Sequence, residues 1–346
     1  VYTVPDIQVV NLEISTRCQA ACPFCPRNYN GYGIRDGFPL MDMSLDEYKH
    51  ILRQFLPNDD LLLDFCGTYG DPCISSNFMD IIEYTRSVCD NPITIHTNGS
   101  MHKPEWWKNL AKYDIEIEFG LDGLGDTHKI YRQNTSWTKI LENAGAFIDA
   151  GGYAVWQFIE FAHNKHQKEA CRELAKELGF KEFKVFYDNR NDGQAYTPKG
   201  EPYWIGDNPP ETMPPIEQHV DLESFLQKEY ENNRQVILDE PDMPEEIVCK
   251  SIRDKVMYVA VNGDAWPCCW LGGSFPMTYD TSYGYQLKAL NLDINILQRP
   301  LQDVMDEWSK ISNTWTDKPL GTCIEQCGKC DGVGGMETFG KNENLD

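Results

Sequence analysis

The chain has 346 residues, 41% hydrophobic and 25% charged, the proportions of a globular protein long enough to bury a sizeable core. No run approaches the ~18 apolar residues of a membrane-spanning helix. The 31 Lys and Arg against 54 Asp and Glu leave a net charge of -23, which repels phosphate backbones and argues against a nucleic-acid partner.

The opening VYTVPDIQVVNLEIS has no basic n-region and no small-residue cleavage site, so the expectation is a cytoplasmic protein. Strands are expected at Val9–Ser15, Leu61–Cys66, Ile93–His96, Ile115–Leu121, Val155–Ala162 and Glu182–Tyr187, short and apolar as buried parallel strands are. Helical spacing fills the intervals at Ser44–Phe55, Asn77–Cys89, Pro104–Lys112, Trp137–Ala150 and Gln167–Leu178, with Ser44 and Glu47 forming a capping box. This alternation predicts a parallel sheet, either doubly wound or curled into a partial barrel. From residue 191 to 246 a Pro-rich acidic connector with one helix, His219–Asn233, is expected. The last hundred residues, 247–346, read as a small separate domain. It opens with a hairpin on the Asn262-Gly263 turn and continues with a helix near Leu301–Ile311.

Cysteine is the informative residue type: there are 13. An odd number spread along a chain without an export signal speaks against a disulfide framework and for metal chemistry in a reducing compartment. Cys18, Cys22 and Cys25 form CX3CX2C directly after the first strand. Three thiolates on one loop match three corners of a cubane iron–sulfur cluster and leave one iron open. A tetrahedral zinc site would need a fourth ligand nearby.

The triplet, with aromatic Phe24 before its third cysteine, resembles the radical S-adenosylmethionine (SAM) enzymes over the first 190 residues. The resemblance implies a partial (β/α)6 TIM-like barrel and a [4Fe-4S] cluster that binds SAM on its open iron and cleaves it reductively to a 5′-deoxyadenosyl radical. Residues 66–72, Cys-Gly-Thr-Tyr-Gly-Asp-Pro, are similar to the family's Gly-Gly-Glu-Pro motif. They place Gly70, Asp71 and Pro72 beside SAM, with Asp standing where Glu is usual. Thr97 and Asn98 after the third strand, Asp122 after the fourth and Asn164 after the fifth are further SAM-pocket candidates by the same resemblance. Gly120 stands where that family commonly has Ser.

At the other end, Cys249 precedes Gly263 by thirteen intervening residues, Cys268 follows after four more, and Cys323, Cys327 and Cys330 close the chain as CX3CX2C. The hairpin returns Cys268 towards Cys249, and a distant CX2C completes four thiolates, for iron–sulfur or for zinc. The CX13GX4C…CX2C arrangement resembles the twitch subdomain of SPASM/twitch radical SAM enzymes. That resemblance implies one auxiliary [4Fe-4S] cluster on Cys249, Cys268, Cys327 and Cys330. Cys269 and Cys323 are left as candidate hydrogen donors.

By resemblance the lead expectation is peptide modification, the maturation of a ribosomal peptide. No leader-docking segment is evident before strand one, which keeps a small-molecule dehydrogenase or epimerase, acting on a sugar or aminocyclitol-like compound, as the alternative. A non-enzymatic iron–sulfur electron-transfer protein is the reading from another class, and the open iron of the first triplet argues against it. A reducing partner such as flavodoxin or ferredoxin is implied. Nothing in the sequence sets the oligomeric state.

Overall fold

The computed structural model describes residues 2–35, 37–56, 58–187, 193–206, 211, 246–272, 287, 289–329 and 341–345. Strand β1 (Val9–Leu12) is followed by α1 (Leu45–Arg53), β2 (Leu62–Phe65), α2 (Phe78–Val88), β3 (Ile93–Thr97) and α3 (Pro104–Leu110). Then come β4 (Glu116–Gly120), a short α4 (His128–Tyr131), α5 (Trp137–Asp149), β5 (Tyr153–Glu160), α6 (Lys168–Leu178) and β6 (Glu182–Tyr187). The six strands are parallel and lie in sequence order. Each crossover thus runs the same way round, as a partial TIM-like barrel requires. The capping box holds the start of α1: Ser44 Oγ accepts from Glu47 N (3.2 Å) and Glu47 Oε2 accepts from Ser44 N (2.8 Å).

The sheet does not stop at β1. The Asn262-Gly263 turn joins β10 (Val256–Val259) to β11 (Ala265–Trp266), and β10 pairs in parallel with β1, Asn11 opposite Tyr258. At the far edge β13 (Lys341–Asn344) pairs antiparallel with β6. The C-terminal hairpin therefore extends the barrel sheet. A second hairpin, β7 (Gly193–Tyr196) with β8 (Pro202–Ile205), occupies the start of the stretch expected as connector. The expected helix at 219–233 lies outside the described residues. Among them no helix is long and apolar enough to cross a membrane.

The two faces of the sheet differ. Val10, Leu12, Leu63, Phe65, Ile95, Ile117, Phe119, Trp156 and Phe158 are buried under the helices. The alternate positions, Asn11, Asp64, His96, Glu118, Gln157 and Lys184, line a cavity of about 1260 Å³ inside the barrel. The strands expected to be apolar on both faces are thus apolar on one only, because a partial barrel leaves its interior open where a closed one packs it. Phe119 centres the outer layer, its ring 5.2 Å from Trp107, 6.3 Å from Phe147 and 6.1 Å from Phe180. Phe119→Ala is expected to cost ~3–5 kcal/mol of stability through the cavity it leaves. Denaturant titration reads this as a lower midpoint at unchanged slope; a loss below ~1 kcal/mol would mean this layer relaxes freely.

Candidate active site at the C-terminal ends of the strands

The loop leaving β1 carries Cys18, Cys22 and Cys25, with Cys22 buried and the other two half-buried. Backbone bonds turn it tightly: Cys25 N donates to Cys22 O (3.2 Å), Asn28 N to Cys25 O (2.9 Å) and Ala21 N to Gln133 O (3.0 Å). Apolar contacts cover it. Cys22 packs with Tyr131, Phe161, Ala195 and Ile205, and Phe24 lies 6.1 Å from Tyr131. The β7–β8 hairpin, which supplies Ala195 and Ile205, is therefore part of the site and not a linker. Cys18 Sγ accepts from Ala20 N (3.4 Å) and Asn98 Nδ2 (3.5 Å).

The turn after β2 is clamped from below by Glu13, a fully buried residue that motif reading passed over. Its Oε1 accepts from Tyr69 N (2.7 Å) and Gly70 N (3.0 Å), and its Oε2 accepts from Tyr258 OH. A β-carbon at position 70 would stand 1.9 Å from Ser15 O. Glycine there is demanded by the backbone of the cysteine loop. Asp71 is buried and caps the 3-10 turn that begins at Pro72. Its carboxylate accepts from Cys73 N (3.0 Å), Thr97 Oγ1 (2.9 Å), Asn98 N (2.8 Å) and Asn98 Nδ2. Three of the residues expected beside SAM are thereby locked together. The acid that differs from the family pattern spends its oxygens on protein donors.

At the next strand ends the same holds. Asp122, fully buried, pairs with Arg132 Nε (2.5 Å) and accepts from Ile159 N (2.7 Å). A β-carbon at Gly120 would meet the Arg132 guanidinium at 2.8 Å. The Ser-to-Gly departure thus makes room for this arginine, which sequence reading had no cue to find. Asn164 accepts from Phe161 N (2.7 Å) and donates to Ile159 O (2.9 Å), so its amide shapes its own loop.

Residues 12–159, which contain all three cysteines and the first four strand-end segments, match the model of the radical SAM superfamily. That segment is a radical SAM domain. Two solved structures share its fold. Streptococcus suis SuiB is 16% identical at a TM-score of 0.53, the alignment covering 91% of this chain and 67% of SuiB. Histidine-tagged anSMEcpe with bound AdoMet is 13% identical, also at 0.53, covering 86% and 77%. A further SuiB structure, bound to precursor peptide SuiA, aligns at 0.54 and 16% identity over 91% of this chain and 66% of that one. No curated protein matches the chain significantly.

The residues fit the [4Fe-4S] cluster that a radical SAM domain implies. Burial pushes the Cys22 thiol up to about 11 and raises that of Cys18 as well. A thiolate there needs a cationic partner such as a cluster core supplies. Arg27 lies beside the loop, 2% exposed, with Nε and Nη1 lacking any hydrogen-bond partner among the described residues. Among the described residues no three His, Cys, Asp or Glu side chains close around a single metal ion.

Cysteines of the second group border the barrel cavity. Val248 N donates to Cys327 O (3.0 Å), and β9 (Glu246–Ile247) pairs with β12 (Gly328–Lys329). These bonds bring Cys249 and Cys327 together; Cys268 and Cys323 also border the cavity, and Cys330 is outside the described residues. Cys269 lies close enough to Asp64 and Glu13 to feel both charges, which places it on the barrel side of that group. Cys323 is buried in the helix Gly321–Cys327.

Burial pushes the Glu13 carboxyl up to about 7, against the Tyr258, Tyr69 and Gly70 donors that lower it. A carboxyl raised on folding stabilises fully below its unfolded value and loses that contribution as pH climbs through the folded one. Glu13→Gln keeps an acceptor for both amides. It is expected to match the parent near pH 5 and to gain stability relative to it by about pH 8. Denaturant unfolding at both pH values checks this, and a difference independent of pH would contradict it.

Proposed function

We propose that this radical SAM enzyme binds a [4Fe-4S] cluster through Cys18, Cys22 and Cys25 with SAM on the open iron, and that its substrate is a peptide. The observation that carries the cluster assignment is the contact of Cys18 Sγ with Asn98 Nδ2, which joins the triplet to the Asp71–Thr97–Asn98 lock. Cys249, Cys268, Cys327 and Cys330 are proposed to hold one auxiliary [4Fe-4S] cluster. When bound, these groups supply a 5′-deoxyadenosyl radical for hydrogen abstraction and a store for the electron left behind. The chain's own part is to position and enclose. Backbone carbonyls around Gly70 would accept from the SAM ammonium, Asp122 and Arg132 fix the wall after β4, and the β7–β8 hairpin keeps water from the loop. Peptide modification is supported by SuiB, whose likeness to this chain extends to a structure with precursor peptide SuiA bound. The chain spans about two thirds of SuiB.

A second reading, a small-molecule dehydrogenase or epimerase, is favoured by the barrel interior. His96 Nε2 lies 2.9 Å from Asp64 and its Nδ1 3.2 Å from Glu118, and Lys184 Nζ bonds Glu118 (2.5 Å) and Glu116 (3.2 Å). A wall of fixed charges suits a compact polar ligand. In that reading Cys269, or Cys323, is the hydrogen donor, and deuterium from solvent appears in the product.

Anaerobically reconstituted protein is expected to bind about eight irons. Replacing Cys18, Cys22 and Cys25 by Ala should remove about half of them and all 5′-deoxyadenosine formation; persistence of that product would refute the cluster assignment. Replacing Cys327 and Cys330 should leave SAM cleavage intact and stop oxidised product. Unchanged iron in that variant would refute the auxiliary site.

A further inference from the structure

Arg27 is anomalous. A guanidinium is costly to bury unless its donors are paired, yet this side chain is 2% exposed and makes a single hydrogen bond, from Nη2 to Ala20 O at 2.5 Å. Among the described residues its Nε and Nη1 have no partner. Three features hold the group in place. The bond to Ala20 anchors it to the span between Cys18 and Cys22. Its own carbonyl accepts from Arg35 N (2.9 Å), and the neighbouring Asn28 ties back to Cys22 O (3.1 Å) and Cys25 O (2.9 Å). A positive charge with two idle donors is thus fixed beneath the loop that carries all three cysteines.

We propose that Arg27 is the built-in counter-charge of the cluster on Cys18, Cys22 and Cys25, donating from Nε and Nη1 to its sulfur atoms and raising its reduction potential. The inference rests on the cluster reading above. Net charge and hydrogen bonds to sulfur are among the factors that set iron–sulfur potentials. Charge-assisted bonds from a planar fork are stronger and more directional than those of an ammonium. Adding an electron makes the cluster more negative, so a fixed cation beside it favours the reduced form. Arg27 here is a positioning and tuning residue; it takes no part in bond-making.

The test is a redox titration of the reconstituted full chain without SAM, following the signal that disappears in the Cys18/Cys22/Cys25→Ala variant. Arg27→Gln is expected to retain its iron and to lower the midpoint by at least about 59 mV, a tenfold drop in the ratio of reduced to oxidised cluster at fixed poise. Arg27→Lys, with the charge but not the fork, should titrate between the two. A midpoint unchanged in Arg27→Gln overturns the proposal. If that variant loses its iron, Arg27→Lys decides, and a midpoint equal to wild type overturns it. Loss of iron from both variants would make Arg27 a scaffold residue. Weaker SAM binding at unchanged potential would assign its donors to the SAM carboxylate. Either of these also overturns the proposal. Failure of the underlying cluster reading looks different: wild type itself would show no signal dependent on the three cysteines.

Discussion

The buried carboxylate of Asp71 is the point on which the site depends. Its backbone N–H donates to Arg17 O (2.8 Å) in the cysteine loop, while its oxygens gather donors from Cys73, Thr97 and Asn98. Three strand-end loops thereby meet at one residue. Burial raises the carboxyl, and the bonds from Asn98, Thr97 and Cys73 work against that rise. A carboxylate so enclosed is tolerable only when every oxygen is used. The requirement makes the lock rigid: moving any one loop strands a buried charge. Glu13 repeats the device one layer below, between β1, the Gly70 turn and Tyr258 of β10. The C-terminal hairpin is therefore bonded to the site through Tyr258 as well as to the sheet edge.

The same logic governs the barrel interior. Burial alone would lower the His96 imidazole, but Asp64 and Glu118 overcome it and hold the ring charged well above its ordinary range. Burial would raise Glu118, and His96 with Lys184 bring it down to about 2 instead. Each cation of this chain is flanked by two carboxylates, Asp64 and Glu118 around His96 and Glu118 and Glu116 around Lys184, so the charges survive in a space that packing leaves open. Such pairs add little net stability; what they fix is the shape and polarity of the cavity that the second cysteine group borders. The apolar face under the helices carries the stability, through Phe119, Trp107, Trp156 and Phe147.

Much of this was legible in the sequence. The strand and helix alternation emerges from apolar spacing, and the cysteine triplet declares itself by position after β1. The Asn262-Gly263 turn announces its hairpin. What stayed hidden depends on long-range partners. Asp71 reads as a ligand by motif, yet its donors come from β3, which sequence spacing cannot show. Gly120 reads as a lost hydroxyl until Arg132, twelve residues on, is seen to occupy the space. The β7–β8 hairpin was obscured by the prolines around it, and the parallel pairing of β10 with β1 joins residues 247 positions apart, as Val9 opposite Val256. Arg27 follows Cys25 by two positions, a placement that was visible; its burial without partners was not.

Electron paramagnetic resonance of the reduced, reconstituted protein with and without SAM reports on the open iron of the Cys18/Cys22/Cys25 cluster. SAM bound to an open iron changes that cluster's electronic environment and leaves a fully ligated cluster untouched. The account predicts a signal whose g-values shift when SAM is added and which is missing from the Cys18/Cys22/Cys25→Ala variant. A spectrum indifferent to SAM, or a shifting signal that survives in that variant, would contradict it.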